Sequence, residues 1–146
     1  MPCAVRRLRR DEDGLRPVCD TLLLDHETRR NPFGRVIGLR GLSVEFSLAR
    51  GTTLFGDDLL LLDDGRVVEV LARPEPLIEA RAADPTRLAR AAWLLGDHHI
   101  SAELSERKLR VRRSAAVVSL LASLGLKLLE IEAPFEPEGG AYDHHG

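Results

Sequence analysis

Alternation of apolar and polar residues marks the first half of the chain. In the run 42–48, leucine, valine, phenylalanine and leucine alternate with serine, glutamate and serine, which is the two-residue period of a half-buried strand. Four more apolar runs of strand length surround it, at 21–24, 35–39, 59–62 and 67–70. Asp63-Asp64-Gly65 separates the last two runs, and Asp-Gly there predicts a hairpin, because glycine accepts a positive φ at little cost. The pattern predicts a small all-β domain over residues 1–73.

A stiff junction follows this domain. In Arg73-Pro74-Glu75-Pro76 each proline biases the residue before it away from the helical region, so the segment favours an extended backbone. We therefore expect the domain boundary at residues 73–74.

Beyond the junction, strand and helix periods alternate. Strands are expected at 77–80, 100–104, 109–111 and 129–133. Asp84-Pro85 opens a helix as N-cap and first helical residue, its apolar residues at 88, 91, 92 and 95 share one face, and Gly96 is expected to end it. Ser114 and Gly125 bracket a second helix. This order predicts a ferredoxin-like βαββαβ domain over 74–135, hence an α+β chain, with a flexible, histidine-containing tail at 136–146.

Charge and cysteine content narrow the functional classes. The chain of 146 residues has a net charge of −2, so no overall basic field favours nucleic acid as a partner. No apolar run approaches the roughly 20 residues that span a bilayer, so no membrane partner is expected. Cys3 and Cys19 form no CxxC pair and no disulfide framework. A cytoplasmic address is the expectation, with each cysteine a plain buried residue.

The distribution of the histidines indicates candidate metal ligands. Four of the five histidines form two adjacent pairs, His98-His99 and His144-His145, and the fifth is His26. Neutral imidazole is a common ligand for nickel, copper and zinc. If a strand begins at the first pair, His99 is in phase with polar residues at 101 and 103, and His98 with apolar residues at 100, 102 and 104. His99 is then the better candidate ligand, although a helix extending to this point would remove that argument.

Each histidine also has a purely structural interpretation. His98 and His99 can cap or pack at a helix–strand junction, and the terminal pair can be a solvated tail or the trace of a purification tag. His26, between Asp25 and Glu27, is interpreted as a turn residue beside charged partners.

A metal site built on one imidazole needs further donors. A two-fold axis would bring two copies of His99 together and turn one ligand into two. The tail histidines, behind Gly139-Gly140, can complete the shell. Motifs for catalysis are missing: the sequence contains no GxSxG, P-loop or HExxH pattern. A metal carrier is therefore favoured over an enzyme.

Four stretches resemble the UreE-type urease accessory proteins, which are nickel metallochaperones. They lie in order along the chain, and the last is the most specific: Leu24–Arg30, Leu48–Thr52, Ala91–His99 and Glu132–Tyr142. The resemblance implies an N-terminal β domain that binds a partner polypeptide and a C-terminal ferredoxin-like domain that binds metal and forms a homodimer.

The same resemblance implies a ligand set and partners. The family pattern Gly-Asn-Arg/Lys-His maps its nickel ligand onto His99, with His144 and His145 as tail donors and His98 as a weaker candidate. Asp97, His98 and Ser101 replace the usual Asn, basic residue and Pro. Ni²⁺ would be held at the dimer interface and delivered to the urease apoprotein with its accessory complex, together with a UreG-type urease accessory GTPase. Nitrogen donors do not by themselves select nickel, so Zn²⁺ or Cu²⁺ can occupy the same site in vitro.

Overall fold

The computed structural model describes residues 1–8 and 16–138 of the chain. It divides into two compact units, Met1–Arg73 and Pro74–Gly146, and each is described by itself. In the described residues, no helix is long and apolar enough to cross a membrane. The predicted α+β composition is confirmed.

The first unit is a six-stranded sheet with one short helix. Its strands are β1 (Cys3–Arg7), β2 (Val18–Leu24), β3 (Arg35–Ile37), β4 (Ser43–Phe46), β5 (Leu59–Leu62) and β6 (Val67–Ala72). Helix α1 (His26–Arg30) follows β2, so this unit is not purely β, and His26 begins a helix instead of lying in a turn. Asp25 caps α1 by accepting a hydrogen bond from the Thr28 N–H at 2.9 Å.

Strand pairing in this sheet is mixed. The strand order is β2-β6-β5-β1-β4-β3, in which β1–β4 and β2–β6 are parallel and the other pairs antiparallel. The Asp-Gly hairpin is confirmed between β5 and β6, with Gly65 at φ +89°. The inward positions of the strands form one core, which includes Leu22, Val44, Leu60, Leu62, Val68 and Val70.

One buried carboxylate links β2 to the loop between β3 and β4. Asp20, on β2, accepts hydrogen bonds from the backbone N–H groups of Thr21, Arg40 and Leu42 at 2.7–2.9 Å. A Cβ at Gly38 would lie 2.3 Å from the Asp20 carboxylate, so only glycine fits beneath it. Burial alone raises the pKa of Asp20, but the three N–H donors outweigh it and the pKa is lowered.

The second unit is a four-stranded antiparallel sheet with two helices. Its elements in chain order are β7 (Pro74–Arg81), α2 (Pro85–Asp97), β8 (Ala102–Leu104), β9 (Lys108–Arg112), α3 (Ala115–Ser123) and β10 (Lys127–Pro134). The strand order is β10-β7-β9-β8. Ile78, Ala80, Leu109 and Val111 share one core with residues of both helices, so the helices cover one face of the sheet.

The other face of this sheet carries a charged network. Glu79, almost fully buried, pairs with Arg81 at 2.9 Å, Arg110 at 3.1 Å and Lys108 at 3.5 Å. Burial raises the pKa of Glu79, but the hydrogen bonds from Arg81 and Arg110 and the nearby charges bring it below its usual range. The ionised carboxylate thus ties β7 to β9.

The predicted flexible tail begins with a held segment. Within residues 136–138, the Glu136 N–H donates to Glu103 Oε1 at 3.0 Å and the Glu138 N–H donates to the Ala102 carbonyl at 2.8 Å. The predicted flexibility is therefore wrong for residues 136–138, which these two bonds hold against β8. Residues 139–146, with His144 and His145, lie outside the described part of the chain.

Candidate metal site

The His98-His99 pair lies at the end of α2. This helix begins as predicted, with the Asp84 carboxylate accepting from the Thr86 N–H at 2.9 Å and Pro85 in the first turn. Leu88, Ala91 and Leu95 bury one face against the sheet. The helix does not end at Gly96 as predicted, because it continues through Asp97 and has His98 as its C-cap.

Two backbone hydrogen bonds fix the residues that follow the helix. The His99 N–H donates to the Gly96 carbonyl at 3.0 Å, and the Ile100 N–H donates to the Leu95 carbonyl at 2.8 Å. These are the two bonds of a Schellman motif, in which the residue after the C-cap takes the left-handed conformation. His99 is that residue, at φ +57°.

The left-handed conformation is unfavourable for histidine. A side chain with a Cβ at such a φ costs about 1 kcal/mol relative to glycine, the usual residue there. Apart from His99, Asp57 is the one described residue other than glycine with a positive φ. Ile100 and Leu95 belong to the core of the unit, so packing on both sides of His99 holds it in this backbone state.

The strand-phase argument for His99 is wrong in its premise. Strand β8 begins at Ala102, so His98 and His99 belong to the helix end and not to an alternating strand. Both side chains are exposed to solvent. His99 differs from His98 in having a left-handed backbone conformation, and no periodicity in the sequence indicates that conformation.

The described residues of one chain do not gather a complete ligand set. Within residues 1–8 and 16–138, no three His, Cys, Asp or Glu side chains come together in a metal-binding group. His26 lies in the first unit, half-buried at the start of α1. A metal at His99 would therefore need donors from a second copy or from residues beyond 138.

Cys3 does not supply a reactive thiolate. Cys3 and Cys19 are both free and half-buried, not fully buried as expected. Burial raises the pKa of the Cys3 thiol, and the neighbouring Asp63 and Glu45 carboxylates raise it further. A thiol in that state is a poor nucleophile and a poor metal ligand at neutral pH.

The exposed histidine pair, with its incomplete donor set, defines an open candidate metal site at the surface. Sequence comparisons show the family to which the chain is related. Residues 75–146 match the family model described as the UreE urease accessory protein, C-terminal domain. The "Urease accessory protein UreE" of Rhodopseudomonas palustris (strain HaA2) is 47% identical over 126 residues, which are 86% of this chain and 59% of that protein. The protein of the same name from Beijerinckia indica is 42% identical over 134 residues, covering 88% of this chain and 78% of that protein.

The chain therefore belongs to the family of UreE urease accessory proteins. It spans about three fifths of the length of the Rhodopseudomonas palustris (strain HaA2) protein and of two Bradyrhizobium proteins of the same name. The predicted resemblance to this family is confirmed.

Proposed function

We propose that this chain is a nickel metallochaperone for urease rather than an enzyme. A homodimer binds Ni²⁺ between its two copies of His99 and delivers it to the urease apoprotein, acting in the cytoplasm with a UreG-type urease accessory GTPase. Family membership supports the urease role. His99 in a left-handed conformation carries the metal site, because strain at an exposed position is typical of residues retained for function.

The domain assignment follows the same proposal. The βαββαβ order with strands arranged β10-β7-β9-β8 is that of a ferredoxin-like domain, to which we assign metal binding and dimer formation. We assign partner binding to residues 1–73. We assign neither nucleic acid nor a membrane as a partner.

A second copy of the chain fits the surface around α2. Trp93 is 68% exposed and lies one helical turn before Asp97, near the proposed ligand. Large aromatic side chains are enriched in the buried centres of protein interfaces. An interface here would place duplicate imidazoles near one axis, with His144 and His145 as additional donors and His98 as a weaker one.

Nickel calorimetry on single-histidine variants tests the proposal. We expect His99→Ala to weaken nickel binding by about a hundredfold or more, because both imidazoles of the dimer are lost together. His98→Ala, the matched control one residue away, should change the affinity by less than about threefold. Equal losses in the two variants would refute the assignment of His99. Native mass spectrometry should give two chains per nickel ion.

A metal-independent adaptor is the alternative function. Phe33, Ile37 and Leu39 are 85%, 70% and 66% exposed within and on either side of β3. Large apolar side chains exposed close together in the sequence favour a protein partner. This function predicts normal urease activation at limiting nickel by a variant that lacks His98, His99, His144 and His145. The metallochaperone proposal predicts loss of activation in that variant.

A further inference from the structure

The face of the second sheet that lies opposite the helices is covered over only part of its area. Ile78 and Ala80 of β7 point to the helices, so Leu77 and Arg81 of the same strand point to this other face. Leu77 is fully buried there, whereas the Arg81 side chain is 57% exposed. The two ends of β7 therefore have different surroundings on this face.

The segment that follows β10 covers the half of this face around Leu77. Phe135 is 1% exposed, and its ring centroid lies 5.8 Å from the guanidinium of Arg112, which is directly opposite Leu77 on β9. The chain then reaches β8, where the Glu138 N–H donates to the Ala102 carbonyl at 2.8 Å. The protein itself thus fills this half of the face.

The other half carries three cations side by side. Lys127 on β10 lies directly opposite Arg81 on β7, and Arg81 lies directly opposite Lys108 on β9. We call these three residues the basic row, which is two strand spacings or about 10 Å long. Like charges directly opposite each other on neighbouring strands destabilise a sheet. The stability of the fold therefore does not explain two such pairs in one row.

The buried carboxylate beside the basic row offsets only part of its charge. Glu79 lies 2.9 Å from Arg81 Nε and 3.5 Å from Lys108 Nζ. Arg110 also pairs with Glu79, at 3.1 Å, and has Glu103 as a second partner. One carboxylate does not neutralise several cations, so the basic row keeps an excess of positive charge. This excess is local, because the chain as a whole has a net charge of −2.

An exposed apolar side chain lies next to the basic row. Leu129 is directly opposite Glu79, two residues along β10 from Lys127 and on the same face, and it is 58% exposed. We call the basic row together with Leu129 the open half of the face. Arginine beside exposed apolar side chains is typical of surfaces that bind proteins, whereas an inorganic phosphate ion would gain nothing from Leu129.

We propose that the open half is a docking surface for an acidic polypeptide segment of a partner protein. Carboxylates of that segment contact the basic row, and an apolar side chain beside them contacts Leu129. Side chains on the same side of an extended segment are about 7 Å apart, so two acidic residues fit along a row of about 10 Å. The negative net charge of the chain disfavours an anionic membrane as the ligand.

This docking surface goes beyond the proposed function, which assigns partner binding to residues 1–73 and nickel binding to His99. His99 follows α2, and the helices pack on the opposite face of the sheet. Binding of an acidic segment therefore does not require the nickel site.

An NMR titration of the isotope-labelled full chain tests the proposal. The probe is a blocked peptide of four glutamates with a central leucine. We expect it to shift the amide signals of Arg81, Lys108, Lys127 and Leu129, and to bind several-fold more weakly when salt rises from about 50 to about 300 mM. The same peptide with glutamine in place of glutamate should bind about tenfold more weakly.

Two variants examine the charge and the apolar contact separately. Lys127→Glu places a carboxylate directly opposite Arg81, so the urea midpoint should stay the same or rise, while peptide binding should weaken about fivefold. Leu129→Ala should weaken it about threefold. The matched controls are Arg90→Glu on the exposed surface of α2 and Leu104→Ala on β8, where Leu104 is 45% exposed. Each control should change peptide binding less than about twofold.

Several results would overturn the proposal. Equal binding of the glutamine peptide, or signal shifts outside the open half, would exclude an acidic ligand there. Tripolyphosphate that binds the basic row while Leu129→Ala leaves peptide binding unchanged would identify a phosphate site. Binding to phosphatidylserine vesicles that Lys127→Glu abolishes, without binding of the peptide, would identify a membrane surface. A changed oligomeric state of Lys127→Glu in native mass spectrometry would make the open half an interface between copies of this chain.

Discussion

The two helices of the second unit end in the same backbone geometry with different residues in the left-handed position. After α3, the Gly125 N–H donates to the Ala122 carbonyl at 3.0 Å and the Leu126 N–H to the Leu121 carbonyl at 3.5 Å, with Gly125 at φ +76°. After α2, His99 and Ile100 make the two equivalent bonds. One helix end has the residue that the backbone prefers, and the other has a residue that the backbone disfavours.

The two helix ends differ in whether the stability of the fold explains the residue in the left-handed position. Glycine at the end of α3 lowers the free energy of the fold and needs no further explanation. Histidine at the end of α2 costs about 1 kcal/mol of backbone strain, and its side chain is exposed. A ligand role for His99 would account for a cost that packing alone does not.

The largest expected effect comes from the leucine beneath each helix end. Leu95 and Leu121 are both fully buried, and replacing either by alanine should lower the free energy of unfolding by about 2–5 kcal/mol. Urea denaturation measures this. Only Leu95→Ala should also weaken nickel binding, because the loss of this buried side chain loosens the packing beneath the His99 turn. A comparable loss of nickel affinity in Leu121→Ala would remove the distinction between the two ends.

Gly125→Ala should destabilise the fold by about 1–2 kcal/mol. The new Cβ would be placed at a positive φ and 2.9 Å from Arg87 Nη1, a contact that the flexible arginine can partly relieve. Thermal and urea unfolding measure the change, and nickel affinity should stay within about twofold. A variant as stable as the unaltered chain would mean that this turn tolerates a side chain, and the strain argument for His99 would weaken with it.

His99→Gly should be more stable than His99→Ala by about 1 kcal/mol, because both variants lack the imidazole and only alanine keeps the strained Cβ. Both should lose high-affinity nickel binding. Unfolding free energies in the absence of metal decide the first point and calorimetry the second. Equal stability of the two variants would show that the backbone at residue 99 relaxes when the imidazole is removed.

The smallest expected effect is that of Gly125→Ala on the pH dependence of the unfolding free energy. The lowered pKa values of Asp20 and Glu79 contribute stability above the pKa of the unfolded chain, near 4, and this is lost as pH falls through the folded pKa. The unfolding free energy should therefore fall below about pH 4, but by the same amount with and without Gly125→Ala. Urea denaturation from pH 7 to pH 3 measures both curves, and Glu79→Gln, as a control, should flatten them.

Local sequence signals predicted most of the helices and strands. Asp84 and Ser114 cap the starts of α2 and α3 as expected. The Asp84 carboxylate accepts from the Thr86 N–H at 2.9 Å, and Ser114 Oγ accepts from the Val117 N–H at 3.1 Å. Gly125 ends α3 as expected. The parallel pairing of β1 with β4 was not predicted, because partners distant in the sequence leave no local pattern.

The candidate site was less predictable than the fold. Gly96 suggested a helix stop, but the stop lies two residues later, and sequence-local rules assign the left-handed position to glycine rather than to histidine. The attachment of residues 135–138 to the second sheet was not predicted, because the proline and the charges of this segment predict mobility. The burial of Phe135 and the hydrogen bonds donated by the N–H groups of Glu136 and Glu138 are visible only in three dimensions.

The carboxylate of Asp20 has a consequence for the behaviour of the protein at high concentration. Asp20 accepts from the N–H groups of Arg40 and Leu42, and the Leu39 N–H donates to the Thr21 carbonyl at 2.9 Å. These bonds attach β2, an edge strand, to the loop between β3 and β4. Backbone donors used in this way cannot template an incoming strand. Because these bonds occupy part of the β2 edge, we expect replacement of Asp20 by alanine to make the protein aggregate more readily at high concentration, which turbidity measures.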